Sequence, residues 1–405
     1  MLDVRPFEGI LYRVPDLSRV LAPPYDVIGP EYREQLLARD PHNVVRVILS
    51  PTPDAAGYAS AGTTYRRWLS EGVLVRDASP ALYLLEQRFE LDGSPLVRRG
   101  IMARFRAADP VERVVLPHEQ TRRSAREDRY RLRLATRANF SPIFMMFRDP
   151  GGFQAIVERI AARPPDVGVT DDGGVAHRLW RIAEPPAIAE LTRLLGGVRA
   201  YIADGHHRHA TALRLRDELG PEAAWAFGYF TPIDAPALKV LPYHRVLERG
   251  PALAEARARL EPELRLREAA SARAAAQEVA GSRARYAFAL AGPGGPALVA
   301  EGSESALPSG FAGVAACVRM LDAFFVHQVV LPRLGVADEA VRYVHSFEEA
   351  EAALVAGRCP LALLMRGTPV AQIVDVADAG ESMPAKSTYF HPKLPSGLVI
   401  HPLLI

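Results

Sequence analysis

The sequence predicts an α+β fold in which a mixed core carries large insertions and a peripheral α/β layer. Residues 198–203 are β-branched and aromatic as in a strand, and residues 210–219 form an Ala-, Leu- and Arg-rich helical segment that ends at Gly220. Residues 81–91 and 97–105 predict a β-hairpin that turns at Asp92 and Gly93. Residues 251–280 are rich in Ala, Arg and Glu, which is typical of peripheral helices.

Periodicity and turn residues predict further elements along the chain. Strands are expected over 44–49, 143–147, 175–182, 223–230 and 240–247, and helices over 31–38, 63–71, 153–162, 186–195 and 320–331. The predicted domains are a core over 1–250 with an insertion at about 50–195, a peripheral layer over 251–345, and a C-terminal segment, 346–405, that returns to the site.

Composition narrows the classes of protein. The chain has 405 residues, 49% of them hydrophobic and 24% charged, with a net charge of +2. No apolar run approaches the roughly 20 residues of a membrane span, and Met1 to Pro6 lacks the order of a signal peptide. We therefore expect a cytoplasmic protein without a membrane partner. Cys317 and Cys359 show no metal or redox spacing and are expected to be buried thiols.

The densest chemistry lies in one turn, which reads Asp204-Gly205-His206-His207-Arg208. The first N–H groups of a helix have no helical acceptor, so this turn offers an anion backbone donors, a helix dipole and a guanidinium. Two other interpretations remain open. Asp204 could be a simple N-cap beside polar histidines, or His206 and His209 could share a metal ion, although no Cys-x-x-Cys or His-Glu-x-x-His spacing supports a metal.

Basic residues are distributed unevenly along the chain. Residues 121–137 contain seven arginines, but Glu127 and Asp128 interrupt them, so a solvated helix with a few arginines facing an anionic ligand is favoured over a nucleic-acid strip. Of 49 basic residues only Lys239, Lys386 and Lys393 are lysines. Lysine is therefore expected where a ligand is bound better by a compact ammonium than by the planar guanidinium of arginine. The segment 384–401, which is rich in hydrogen-bond donors, is the main candidate.

Several blocks of the chain resemble a known family, the bacterial and archaeal domain of unknown function 1015. They are Ala22 to Ile28, Pro117 to Thr121, Asp128-Arg129, Ala203 to Arg208, and Met383 to Phe390, so the resemblance spans nearly the whole chain. The central turn is similar to the signature of the ParB/sulfiredoxin fold, and most similar to its free serine kinases. Sulfiredoxins carry a catalytic cysteine after the motif glycine, where this chain has His206, so sulfinic acid repair is not expected.

The resemblance implies a phosphotransferase that moves a phosphoryl group between ATP or ADP and the hydroxyl of a small amino acid, serine or phosphoserine. Either nucleotide and either direction of transfer is compatible with the sequence. Mg²⁺ is implied as a cofactor, with Asp204 as its ligand. The resemblance also implies the site residues. Catalysis is assigned to Glu119, Asp204 and His207, and substrate binding to Asp26 and His118. Phosphate or nucleotide binding is assigned to Gly205, His206, Arg208, Lys386 and Thr388.

Two other classes of function remain as alternatives. A nucleotide-binding regulatory or DNA-partition-like protein would need a helix-turn-helix module and a basic face, which we do not find as a distinct segment, so a nucleic-acid partner is not expected. A phosphate-ester hydrolase would use Asp204 and the histidines. A homo-oligomer is compatible with the sequence.

Overall fold

The computed structural model describes residues 1–50, 52–121 and 123–403, so Arg122 of the arginine-rich segment lies outside the described residues. Within these ranges the chain divides into two compact units. The first contains residues 1–117, 121–238 and 392–405, and the second contains residues 118–120 and 239–391. The chain passes from the first unit to the second after Leu238, and it returns to the first unit at Pro392.

The first unit holds a mixed sheet and the helices that cover it. Its strands are β1 (Val4–Arg5), β2 (Ile10–Tyr12), β3 (Leu74–Arg76), β4 (Leu82–Leu91), β5 (Ser94–Arg106), β6 (Val115–Leu116), β7 (Ala138–Asn139), β8 (Ile143–Phe147), β9 (Val167–Thr170), β10 (Ala176–Ile182), β11 (Ala200–Asp204) and β12 (Trp225–Pro232), together with the short strand His401–Pro402, which pairs with β7. Its helices are α1 (Pro30–Arg39), α2 (Val45–Ile48), α3 (Ala55–Ser70), α4 (Arg123–Thr136), α5 (Phe153–Ala161), α6 (Pro185–Gly196) and α7 (His206–Leu219).

The main sheet of this unit runs in the order β6-β11-β8-β12-β5-β4-β10-β9. Strand β11 is parallel to β6 and β12 is parallel to β8, whereas the other neighbours along this path are antiparallel. Strand β8 is buried along its whole length, which explains its continuous apolar sequence. Strands β8 and β11 thus hold the turn that follows Asp204 on a rigid, buried scaffold.

The long hairpin of β4 and β5 forms as the sequence predicts. Asp92 and Gly93 both have positive φ, 52° and 73°, which is the backbone of the two-residue turn that favours Asp-Gly. The register pairs Gln87 with Arg98 across the two strands. Both side chains are fully buried although they are polar.

The prediction of a strand over 44–49 is wrong, because this segment forms the short helix α2. Asn43, which is fully buried, accepts a hydrogen bond from the Val45 N–H at 3.0 Å and donates from Nδ2 to the carbonyls of Arg19 and Leu21. These bonds bend the chain into a helical turn. They override the β propensity of the valines, which packing commonly does.

The second unit is built on an antiparallel sheet. Its strands are β13 (Lys239–Leu241), β14 (His244–Leu247), β15 (Arg265–Ala269), β16 (Tyr286–Ala291), β17 (Ala297–Gly302), β18 (Val341–Val344), β19 (Leu361–Met365) and β20 (Tyr389–His391). Its helices are α8 (Leu253–Leu260), α9 (Ala272–Gly281), α10 (Ala316–Arg319), α11 (Asp322–Phe325), α12 (Leu331–Leu334), α13 (Phe347–Val355) and α14 (Val370–Ala379), with a π-helical turn, Val326–Val330, linking α11 to α12.

The sheet of the second unit runs in the order β15-β17-β16-β19-β14-β18, and β13 pairs separately with β20. The predicted strand over 240–247 is therefore interrupted, because its two halves pair with different partners. Cys359 is buried against the small residues of this core, and Cys317 is half-buried. Both thiols are free. Within the described part of the chain, no helix is long and apolar enough to cross a membrane.

Candidate functional site

The turn between β11 and α7 depends on Gly205, because any other residue at this position would introduce strain. Asp204 ends β11, and Gly205 caps the N-terminus of α7 with φ of +97°. A Cβ atom at this position would lie 2.8 Å from Nε of Arg208. Glycine therefore serves two needs here, the left-handed backbone and the close approach of the guanidinium. The helix begins at His206, so His206, His207 and Arg208 form its first turn, as the sequence predicts.

Asp204 holds two cations at once. Its Oδ2 accepts a hydrogen bond from Nη2 of Arg208 at 2.6 Å, and its Oδ1 pairs with Nζ of Lys393. The three side chains are only 18%, 16% and 11% exposed. Burial by itself would raise the pKa of Asp204, but Lys393 and Arg208 outweigh it and hold the pKa well below its usual range. The carboxylate is thus a fixed negative centre that positions an ammonium and a guanidinium.

Lys393 is placed by buried polar groups of the long hairpin. Gln87 donates from Nε2 to the Lys393 carbonyl at 3.1 Å, and Arg98 donates to the carbonyl of Pro392 and to Oε1 of Gln87. The Arg98 guanidinium faces the rings of Phe144 and Tyr229 at 4.6 and 5.9 Å from their centroids. This support has no local signal in the sequence, although the scarcity of lysine draws attention to Lys393.

The histidines of the turn have different surroundings. His206 and His209 are buried, at 7% and 3% exposure, and His207 is half-buried. Burial lowers the pKa of His207, and the charge of Arg208 lowers it further, whereas Asp26 and Asp204 oppose the shift. His207 is therefore neutral near pH 7, which is the form that accepts a proton. Asp26 itself is exposed, in the short turn Tyr25–Val27.

His209 is a structural residue whose burial predicts an acid-dependent loss of stability. Burial lowers its pKa to about 4, from an ordinary value of about 6.5 in the unfolded chain. The unfolded chain therefore takes up a proton first as the pH falls. The contribution of His209 is complete above pH 6.5, and about 3 kcal/mol is lost between roughly pH 6.5 and 4.

We expect His209→Gln, which cannot titrate in this range, to lose less unfolding free energy than the wild type between pH 7.5 and 4.5 in urea titrations. His345→Gln is the control for the substitution itself, since that imidazole is 40% exposed. An unchanged slope in His209→Gln would show that another buried group causes the acid sensitivity.

Arg129 of α4 packs on the tyrosine turn near residue 25. The Arg129 guanidinium lies 3.8 Å from the centroid of the Tyr25 ring and pairs with Asp128. Asp128 in turn accepts a hydrogen bond from the Tyr58 hydroxyl at 2.7 Å. Burial raises the pKa of Tyr25 to about 12, so its hydroxyl stays protonated at neutral pH. By contrast, Arg131 on the same helix is exposed and pairs with Glu127.

The second unit brings together His118, Glu119 and the loop before β20. Glu119 forms a parallel β-bridge with Met383, whose N–H donates to the His118 carbonyl at 2.8 Å. His118 is buried, and its Nε2 lies 3.4 Å from the hydroxyl of Thr388. Residues far apart in the chain are thus fixed beside each other within this unit.

Lys386 has an unusual backbone conformation. Its φ is +58°, which is uncommon for a residue other than glycine, and its Nζ lies 5.0 Å from the centroid of the Tyr243 ring. The neighbouring residue Ser387 donates to the Pro384 carbonyl at 2.6 Å and accepts, through its own carbonyl, from Thr368. The loop is therefore ordered by its own hydrogen bonds, and strain of this kind is concentrated at functional sites.

The residues predicted for the site thus form two groups. Those in the first unit are Asp26, Asp204, Gly205, His206, His207 and Arg208, and those in the second unit are His118, Glu119, Lys386 and Thr388. The residues that the sequence analysis did not assign to a site are Lys393, Arg98, Gln87 and Tyr25.

The donor set of Asp204 does not fit Mg²⁺ in this arrangement. Both carboxylate oxygens are occupied by cationic donors, so a metal ion on either would face Lys393 or Arg208 at close range. In the described ranges, no cluster of three or more His, Cys, Asp or Glu side chains is placed to hold a metal ion.

Gly205→Ala is expected to lower the free energy of unfolding by more than the cost of the left-handed backbone conformation alone. That backbone costs roughly 1–2 kcal/mol for a residue with a Cβ atom, and displacement of Arg208 adds to it. Gly152→Ala is a matched control, because Gly152 also caps a helix, has φ of +100°, and has open space where its Cβ would lie. The unfolding free energy from urea titration should fall further for Gly205→Ala than for Gly152→Ala. Equal losses would mean that displacing the Arg208 side chain costs no free energy.

Comparison with known proteins identifies the family. The model of the family described as "Protein of unknown function (DUF1015)" matches residues 4–323, and the chain belongs to this family. The resemblance predicted from the sequence is therefore confirmed. No curated protein matches the chain.

Several solved structures are similar to the chain. A free serine kinase in complex with AMP shares 16% identity over 69% of this chain and 87% of its own, with a TM-score of 0.34. A conserved hypothetical protein from Pyrococcus furiosus shares 16% identity over 69% and 90% of the two chains, with a TM-score of 0.36. SbnI from Staphylococcus aureus, truncated at its C-terminus, shares 10% identity over 73% and 86%, with a TM-score of 0.37. These likenesses are too remote to indicate an activity.

Proposed function

We propose that the protein is a phosphotransferase that moves a phosphoryl group between an adenine nucleotide, ATP or ADP, and the hydroxyl of a small amino acid, with serine or phosphoserine as the substrate. The observation that carries the proposal is the turn at Gly205, where Asp204 fixes Arg208 and Lys393 beside the first N–H groups of α7. With it we propose a ParB/sulfiredoxin-like core for the first unit, on the resemblance of the sequence from Asp204 to Arg208.

The turn supplies what phosphoryl transfer mainly requires, which is cationic positioning of phosphate oxygens. The N–H groups of His206, His207 and Arg208 precede the first helical hydrogen bond of α7, which the His209 N–H donates to the Gly205 carbonyl. Arg208 and Lys393 together carry two positive charges against the single negative charge of Asp204. The excess positive charge and the helix dipole both favour an anion at this point.

The reaction also needs a base for the substrate hydroxyl. As the hydroxyl oxygen bonds to phosphorus, the bridging P–O bond breaks, its electron pair stays with the departing nucleotide, and the hydroxyl proton passes to the base. Asp204 is a weak candidate, since its pKa lies well below the usual range and two cations occupy it. We therefore assign the base to Glu119 and keep the neutral His207 as the alternative.

Roles for the remaining residues follow from their surroundings. We assign phosphate or nucleotide binding to Lys386 and Thr388, because the strained Lys386 backbone and the contact between Thr388 and His118 mark an ordered, donor-rich loop. We assign substrate binding to His118 and to Asp26, whose exposed carboxylate suits the ammonium of an amino acid.

The test is a direct assay of product. Purified protein is incubated with ATP or with ADP and serine, with and without Mg²⁺, and phosphoserine is measured by mass spectrometry. The reverse reaction starts from phosphoserine with ADP or AMP. We expect phosphoserine to form in a serine-dependent manner. Nucleotide hydrolysis that is independent of serine, or no turnover by folded protein with a panel of hydroxyl amino acids, would overturn the proposal.

A further inference from the structure

A small cavity lies inside the first unit and shares Arg208 with the turn of residues 204–208, called the phosphate turn. It has a volume of about 50 Å³, and its wall includes Tyr25, Arg129, Arg133, Asn139, Ser141 and Arg208. A single water needs roughly 10–15 Å³ of such space, so this cavity takes a few waters or one compact polar group and excludes a nucleoside. Three arginines line this small space, and the pairing of each matters because arginine is rarely buried without a partner.

Arg133 is the least compensated of the three. It is 5% exposed, and its Nη2 donates to the Trp225 carbonyl at 2.5 Å. Its Nε has no hydrogen-bond acceptor, and among the residues that the structure describes no carboxylate forms an ion pair with it. Burial lowers the pKa of Arg133 only to about 9, so the group remains charged at neutral pH. A buried charge left in this state is costly unless a counter-ion joins it.

The other charges around the cavity do not compensate Arg133. Arg129 pairs with Asp128, and Arg208 pairs with Asp204, so these two carboxylates are already engaged. His401 is fully buried, and burial together with the charge of Arg133 lowers its pKa well below the usual value. Its neutral ring accepts a hydrogen bond from Asn139 at 2.9 Å. The cavity wall is therefore positive by about one charge, that of Arg133.

We infer that this cavity binds a small oxyanion, a phosphate-sized or carboxylate group, held by the guanidinium of Arg133 with Arg129 and Arg208 beside it. Guanidinium groups bind such anions with paired, charge-assisted hydrogen bonds. The side chains of Asn139 and Ser141 add polar surface to the same wall. The inference goes beyond the proposed function and does not depend on phosphoryl transfer, although the cavity shares Arg208 with the phosphate turn.

Orthophosphate is the first probe, titrated at constant ionic strength against chloride, with binding followed by calorimetry and by the rise in melting temperature. A ligand that binds only the folded protein raises the melting temperature in a saturable manner. We expect this for the wild type and for Arg131→Met, the control on the same helix, whose arginine is exposed. Arg133→Met should bind orthophosphate about tenfold more weakly or worse. Without orthophosphate it should melt no lower than the wild type, since an uncompensated buried charge is removed.

Two further arms complete the experiment. Arg133→Lys covers the case in which Arg133→Met does not fold, and it should bind several-fold more weakly because the planar fork is lost. Phosphoserine, free serine and acetate show whether the phosphate or the carboxylate is the group bound. The inference is overturned if none of these anions binds saturably. It is also overturned if Arg133→Met or Arg133→Lys leaves the binding unchanged. Anion binding that the Arg133 variants weaken, without phosphoserine formation, would keep this inference and reject the proposed function, so the two failures are distinguishable.

Discussion

Asp204→Asn is expected to lower the unfolding free energy by about 3–5 kcal/mol, the usual cost of removing one partner of a buried ion pair. The amide is neutral and has a single acceptor oxygen, so the buried cations Arg208 and Lys393 both lose their counter-charge. Because the folded pKa of Asp204 lies below that of the unfolded chain, its stabilisation is complete above about pH 4. A urea titration at pH 7 therefore measures the whole effect.

The control for this prediction is Asp217→Asn on the same helix. Asp217 is 62% exposed and pairs with Arg216 at 2.7 Å, so its loss should cost less than about 1 kcal/mol. If Asp204→Asn were no more destabilising than Asp217→Asn, the two ion pairs at the turn would not hold the site. In that case the positioning of Lys393 by Gln87 and Arg98 would have to suffice.

Glu119→Gln is expected to reduce the rate of phosphoserine formation by roughly 10²- to 10⁴-fold, the usual contribution of a positioned base. The amide keeps the shape of the side chain, and the β-bridge to Met383 uses the backbone, so the melting temperature and the affinity for ADP should change little. The measurement is steady-state turnover, with calorimetric titration of ADP alongside. This prediction depends on the proposed function and fails with it.

Glu381→Gln serves as the matched control for Glu119. Glu381 is exposed and lies two residues before Met383, so it shares the region without the proposed role. Its variant should keep wild-type turnover. If Glu119→Gln stays within about tenfold of the wild type, Glu119 is not the base, and His207→Asn becomes the decisive variant.

Segments with strong local signals were predictable. The hairpin of β4 and β5 turns at Asp92 and Gly93 as expected, since a two-residue turn with positive φ favours Asp-Gly whatever packs around it. Helices α5 and α6 begin and end within a residue of the predicted bounds. In contrast, residues 44–49 have the β-branched sequence of a strand, yet the buried side chain of Asn43 makes them helical. Only the packed structure shows which of these tendencies prevails.

The candidate site divides in the same way. By itself the sequence determined the turn from Asp204 to Arg208, because a strand end, a glycine and a helix start are neighbours in the chain and their geometry is local. The tertiary structure decided the counter-charge of Asp204, since Lys393 lies 189 residues away and is held there by Arg98 and Gln87 of a different strand pair. It likewise decided that Arg133 is buried in a cavity wall while Arg131 is exposed. The burial and pairing of charges depend on contacts between residues that are far apart in the sequence, and the spacing of residues along the chain does not reveal these contacts.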